Sequence, residues 1–178
     1  MSATLEEISG FLDEMGWKHK VLAEKQRIIT GHATDNYLDD RGEKGFTIVI
    51  SLQEDGEYIK TIAPQCYVYN PKKDHHEFLD ALLIVSWRTK LVKYEYDPAD
   101  GEIRALVEFP LEDAKLTKRQ LERCLEALVQ IIDHYHPMLM VARDTGEIKT
   151  PEELEKEFQE FLAQRRRASG GGGLQLDE

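Results

Sequence analysis

The chain is poor in the residues that most often announce a function. It has only two cysteines in 178 residues, Cys66 and Cys124, which lie far apart in apolar surroundings. That excludes a disulfide-built scaffold and predicts two buried, reduced thiols. No apolar run approaches the roughly 20 residues a membrane helix needs. The opening MSATLEEISG has neither the basic region nor the apolar core of a secretory signal. A soluble, cytoplasmic protein without membrane contact is expected. Cations are also scarce: 23 Lys and Arg face 34 Asp and Glu, for a formal net charge of −11. Binding to nucleic acid or anionic lipid rests on Lys and Arg, so direct DNA binding is not expected. A small anion held in a local basic pocket stays compatible with the composition.

Catalytic signatures are missing as well. There is no Gly-x-Ser-x-Gly elbow, no phosphate-binding loop and no dinucleotide glycine fingerprint. Gly170 to Gly173 follow a helical pattern in a terminal tail, which is the wrong context for cradling a phosphate. Acidic residues are plentiful, but most fall at helix starts, where capping explains them. The chain therefore reads as non-enzymatic.

What is present is a set of strong helix and strand signals. Thr4 and Glu7 form a capping box ahead of Leu5, Ile8, Leu12 and Met15, and Gly16 supplies the stop. Strand patterns follow over residues 17–23, 27–33, 46–52 and 58–69. Glu24-Lys25-Gln26 and Glu54-Asp55-Gly56 serve as turns, and Pro64 marks a bulge or an edge. Residues 34–45 are polar and read as an exposed loop; their Asp35, Asp39, Asp40 and Glu43 lack the order of a calcium loop. Asp74 and Glu77 predict a second capping box. It opens a helix with Phe78, Leu82 and Val85 on one face and Leu79 and Leu83 beside them, a face wide enough for a central buried helix. Residues 91–96 and 103–109 form a second hairpin. Thr117 and Gln120 start a third helix striped by Leu121, Leu125, Leu128, Ile132 and Tyr135, which Pro137 is expected to end or kink. Thr150-Pro151-Glu152-Glu153 starts a last helix with Leu154, Phe158, Phe161 and Leu162 on its apolar face. The fold class is α+β: an antiparallel sheet of about five strands with helices on one side, plus an extra C-terminal helix and a flexible tail. The divisions are 1–142 for the main domain, 143–167 for the appended helix and 168–178 for the glycine-rich tail.

Two groups of residues could carry chemistry. His134 and His136 flank Tyr135, with Asp133 nearby, but their spacing is not that of a zinc motif, and metal binding is only an alternative. Trp17 and Trp87-Arg88 are accompanied by Lys18, Lys20, Arg27, Lys90 and Lys93, a basic and aromatic set in an acidic protein. Arginine stacks on purine rings and pairs with phosphate through two parallel hydrogen bonds. Arg165-Arg166-Arg167 could meet an acidic partner, or simply complement a helix C-terminus.

The order of elements, helix, strands, central helix, two strands and long helix, is similar to that of class I type III secretion chaperones. Through FLDEMGW, FTIVISLQEDGEYIKTIAP and HEFLDALLIVSWRTKLVKYEYDPADGEIRALVEFPLEDAKLT, residues 4–142 resemble the YbjN-type, secretion-chaperone-like family of bacteria. The resemblance implies a homodimeric regulatory adaptor that binds protein partners, such as a regulator, and does no chemistry. Cyanobacterial members resemble regulators, some of them receptors for cyclic di-GMP, which makes that nucleotide second messenger the candidate ligand. Arg27, Arg41, Trp87 and Arg88 are the residues expected to stack on it and contact its phosphates, and Asp39 and Asp40 to accept from guanine. Arg119 and Arg123 form an Arg-x-x-x-Arg, but the partner motif that usually lies downstream is missing. A ligand-free chaperone or scaffold is the alternative, and it predicts exposed apolar grooves on the sheet or an outer helix.

Overall fold

The computed structural model describes residues 2–169. The tail from residue 170 onward lies outside the described residues, and for Arg165 to Arg167 only the helical backbone is described. In chain order the elements are α1 (Leu5–Glu14), β1 (His19–Leu22), β2 (Arg27–His32), β3 (Phe46–Gln53) and β4 (Tyr58–Val68). They continue with α2 (Glu77–Arg88), β5 (Lys93–Tyr96), β6 (Glu102–Pro110), α3 (Lys118–Thr145) and α4 (Pro151–Ser169). Six strands form one antiparallel sheet in the order β1-β2-β3-β4-β6-β5. The count is six rather than the expected five, with His19–Leu22, inside the 17–23 strand pattern, pairing with β2 as the edge strand. After β4 the chain crosses through α2 to the far edge, lays down β5, and returns as β6 into the place beside β4.

Strand alternation divides the sheet into two faces. Ile28, Ile50, Thr61 and Val107 stand in one cross-strand row and point inward. All four are buried, and the three apolar ones join a core completed by Ile8 and Leu12 of α1, Phe78 and Val85 of α2, and Leu121, Leu125, Leu128 and Ile132 of α3. The next row, Ile29, Val49, Ile62 and Leu106, points the other way, where no helix covers it. Long charged side chains roof its β4–β6 end. Lys60 pairs with Glu108 at 3.0 Å and Arg104 with Glu95 at 2.6 Å. Leu106 on this face is only 1% exposed, as long charged side chains can cover apolar surface with their stems.

The capping boxes of α1, α3 and α4 form as expected, each with reciprocal Thr and Glu or Gln contacts. The box expected from Asp74 and Glu77 does not. Asp74 instead accepts from the Asn70 amide and closes a separate turn over residues 70–74. The start of α2 is held by α3: the His75 amide donates to the Arg143 carbonyl at 3.0 Å. Nor does Pro137 end α3, which runs on to Thr145. A proline removes a single helical hydrogen bond. Here Met138, Leu139 and Ala142 are buried just beyond it, and that burial offsets the loss. Gly146 then stops the helix at φ 76°, in the left-handed region. The buried central helix is α3 rather than α2, whose Leu83 and Trp87 face solvent. Pro64 lies where expected, in the register shift between Ala63 and Tyr67.

The loop over residues 33–45 is anchored rather than merely exposed. One Asp133 carboxylate oxygen on α3 accepts from the amides of Asp35, Asn36 and Tyr37 at 3.1, 2.7 and 2.8 Å. Tyr37, 2% exposed, donates its hydroxyl to the Cys66 carbonyl at 2.8 Å. Among the described residues no helix is long and apolar enough to cross a membrane.

Candidate functional site

The six residues expected to bind a nucleotide do not meet in one pocket. Arg27 lies on the uncovered face of β2, opposite Leu22 and Ser51. Asp39, Asp40 and Arg41 lie at the tip of the 33–45 loop, where Arg41 already pairs with Asp39 at 2.9 Å and with Glu43 at 3.5 Å. Amide donation from Glu43 holds the Asp39 carboxyl below its usual range, and Arg41 adds to the effect. Trp87 and Arg88 end α2, beside β5 at the opposite edge of the sheet from β1. Between β2 and β5 lie three strands, so Arg27 and the α2 terminus are separated by about 19 Å of sheet. The basic and aromatic set of the sequence therefore splits in two. Trp17, packed on the core with its ring 4.9 Å from His32, belongs to the β1–β2 side. Trp87, Arg88 and Lys90 belong to the α2 side.

Around the end of α2 the surface is unusual. Leu83 is 67% exposed and Trp87 86%, one helical turn apart. Leu79 continues the same stripe toward the start of the helix. Beside it a groove of about 280 Å³ runs between α2 and the edge strand β5, lined by Leu79, Leu83, Tyr94, Tyr96 and Ile103. Among the described residues β5 pairs with no strand other than β6, and on its outer edge the Tyr94 amide donates to the Ser86 hydroxyl of α2 at 3.3 Å. The spacing of Phe78, Leu79, Leu82, Leu83 and Val85 predicts this helix face, but its width points to burial rather than to an open stripe. The signal it carried was the position of Leu83 and Trp87, outside the Phe78–Leu82–Val85 arc.

On the other side of the α2 terminus a second groove, about 330 Å³, lies between residues 88–92 and α3. Arg123, Ala127, Ile131 and Tyr135 line it at four-residue spacing along a single helix face, and Arg88 and Lys90 close it from the α2 side. Among the described residues none of Arg88, Lys90 and Arg123 has a carboxylate within ion-pair distance. The first turn of α4 lies near enough to feel Arg88. Contacts with Thr150 hold the Glu153 carboxyl low, and the Arg88 charge lowers it further.

Burial pushes the Cys66 thiol up to about 12 and also raises Cys124, so neither is a ready nucleophile. His136 is buried and held neutral, while His134 faces solvent on the same helix. Among the described residues no three His, Cys, Asp or Glu side chains converge as a metal site.

The chain matches no protein-family model and no curated protein. Its architecture is shared by solved structures. One is YbjN from E. coli, described as a candidate transcription regulator, with a TM-score of 0.55 at 14% identity over 76% of this chain and 93% of that one. Another is the ExsC–ExsE complex, with a TM-score of 0.50 at 15% identity over 78% of this chain and 97% of that one. At such identities the likeness is one of fold, and the fold is the secretion-chaperone-like α+β arrangement expected from the sequence.

Proposed function

We propose that this chain, which carries the fold of YbjN and the type III secretion chaperones, is a non-enzymatic cytoplasmic adaptor. It holds protein partners, a regulator among them, and pairs with a second copy of itself. The observation that carries the reading is the open stripe of Leu83 and Trp87 on α2, beside the edge strand β5. A tryptophan left 86% exposed gains nothing in the isolated chain. Covered by a partner, it is the kind of aromatic anchor on which interface energy concentrates. The complex with ExsE in which ExsC was solved agrees with a protein-holding role for this fold. Sedimentation velocity tests the self-pairing. The native chain is expected to run as a dimer, and Leu83→Glu with Trp87→Glu as a folded monomer. A native chain that is monomeric at every concentration would remove it.

The finer form of the reading adds cyclic di-GMP as the ligand. Trp87 supports it as an exposed stacking plane with Arg88 next to it for a phosphate, in competition with self-pairing through the same ring. Arg27, Asp39, Asp40 and Arg41 would have to serve it from elsewhere on the surface. Isothermal titration decides: heat that is lost in Trp87→Ala supports the ligand, and no heat at micromolar nucleotide removes it. In the latter case the ligand-free chaperone or scaffold reading stands.

A further inference from the structure

The groove between the end of α2 and α3 is chemically unlike the rest of this acidic surface. Its floor is Ala127, Ile131 and the Tyr135 ring, with Leu91 at the side. Its rim carries Arg88, Lys90 and Arg123, against Glu126 as the one lining carboxylate. Three cations around an apolar trough, in a chain of net charge −11, are the complement of a segment that alternates acidic and apolar side chains. A bare phosphate would use the rim and waste the floor. A plain apolar helix would leave the cations desolvated and unpaired, which is costly.

We propose that this groove is the docking site for an acidic, leucine-bearing segment of the protein partner, its carboxylates on Arg88, Lys90 and Arg123 and its apolar side chains against Ile131 and Tyr135. The inference rests on the adaptor reading and gives that partner a chemistry. The self-pairing stripe of Leu83 and the groove lie on different sides of the α2 terminus. A dimer could therefore hold one such segment on each copy.

Fluorescence anisotropy with the full chain tests it, using a short labelled peptide of alternating leucine and glutamate. Binding is expected, weakening as salt rises. It is expected to fall at least about tenfold in Arg88→Glu/Arg123→Glu, to survive in Arg88→Lys/Arg123→Lys, and to be unchanged in Lys72→Glu, an exposed lysine outside the groove. Replacing the peptide's glutamates with lysine is expected to abolish binding, a comparison that needs no variant protein. Failure of the glutamate peptide to bind overturns the proposal, as does equal loss in Arg88→Glu/Arg123→Glu and Lys72→Glu. Uptake of cyclic di-GMP, lost in the charge-reversed protein while the peptide stays unbound, gives the groove to the nucleotide and also overturns it. Sedimentation of Leu83→Glu with Trp87→Glu reports separately on the adaptor reading. If the peptide fails but the native dimer persists, the groove assignment falls alone.

Discussion

Acidification should loosen this fold through one histidine. His136 is 7% exposed, enclosed by the rings of Tyr37 and Tyr67, with Nδ1 3.3 Å from the Tyr67 hydroxyl. Burial, and then the nearby Arg143 charge, press its pKa from 6.5 down to about 4, against a smaller opposing pull from Asp133. The folded state therefore keeps a neutral imidazole where the unfolded chain takes up a proton. Stability from this group is fully present above pH 6.5, drains away as the pH falls from about 6.5 to about 4, and changes no further below that. A shift of this size is worth on the order of 3 kcal/mol in total, of which about 2 kcal/mol is lost between pH 7 and pH 5. Urea unfolding at the two pH values measures it. The comparison is His136→Phe, which keeps a ring in the aromatic cluster and cannot titrate. Every other titrating group is common to both proteins, so the difference between their pH slopes isolates His136. The native protein is expected to lose about 2 kcal/mol more than the variant. Parallel slopes would refute the argument, whatever the variant's absolute stability.

Other outcomes follow from the packing. Asp133→Ala strips the acceptor from three amides of the 33–45 loop and is expected to cost about 2–3 kcal/mol by thermal or urea unfolding; Asp133→Asn should recover part of it. Gly56→Ala should destabilise by at least about 1–3 kcal/mol, because Gly56 sits at φ 91° and an added Cβ would meet the Ala3 carbonyl oxygen at 2.3 Å. A thiol reagent at neutral pH should leave Cys66 unlabelled in the folded chain and label it in urea. Rapid labelling of native protein would contradict its 4% exposure and raised pKa.

Much of the fold was legible because local and global signals agree. Thr4, Thr117 and Thr150 name three helix starts through nearby carboxyl or amide partners, and the β-branched alternation of Phe46 to Leu52 names its own inward face. Most of the failures trace to contact between residues distant in sequence, and one to a competing local turn. Asp74 looks like a cap for α2, yet Asn70 claims it, and the true anchor of that helix start is the Arg143 carbonyl. Pro137 reads as a stop or a kink; the helix runs on past it, and the burial of Met138 and Leu139 that carries it on is invisible to a local rule. The site suffered more. Trp87 and Arg88 were found because they adjoin in sequence, whereas grouping them with Arg27 ignored the strands that come between. The groove on α3 did leave a trace, in the spacing of Arg123, Ala127, Ile131 and Tyr135. Tyr135 also falls on the stripe of Leu121, Leu125, Leu128 and Ile132, which masks the second face.

The Asp133 contact has a consequence for how the chain tolerates damage. Its reach joins residues nearly a hundred positions apart, and it grips the loop on the β2 side, before the Asp39–Arg41 tip. A protease that cuts after Arg41 would sever the covalent link between β2 and β3 without releasing either stump. The leading fragment would stay moored to α3 by three amides and the sunken Tyr37 ring, while the trailing one stays zipped into the sheet. Such a nicked protein should migrate as one particle under native conditions and as two pieces only in detergent, so the loop tip is a natural place to split the chain into two halves that reassemble.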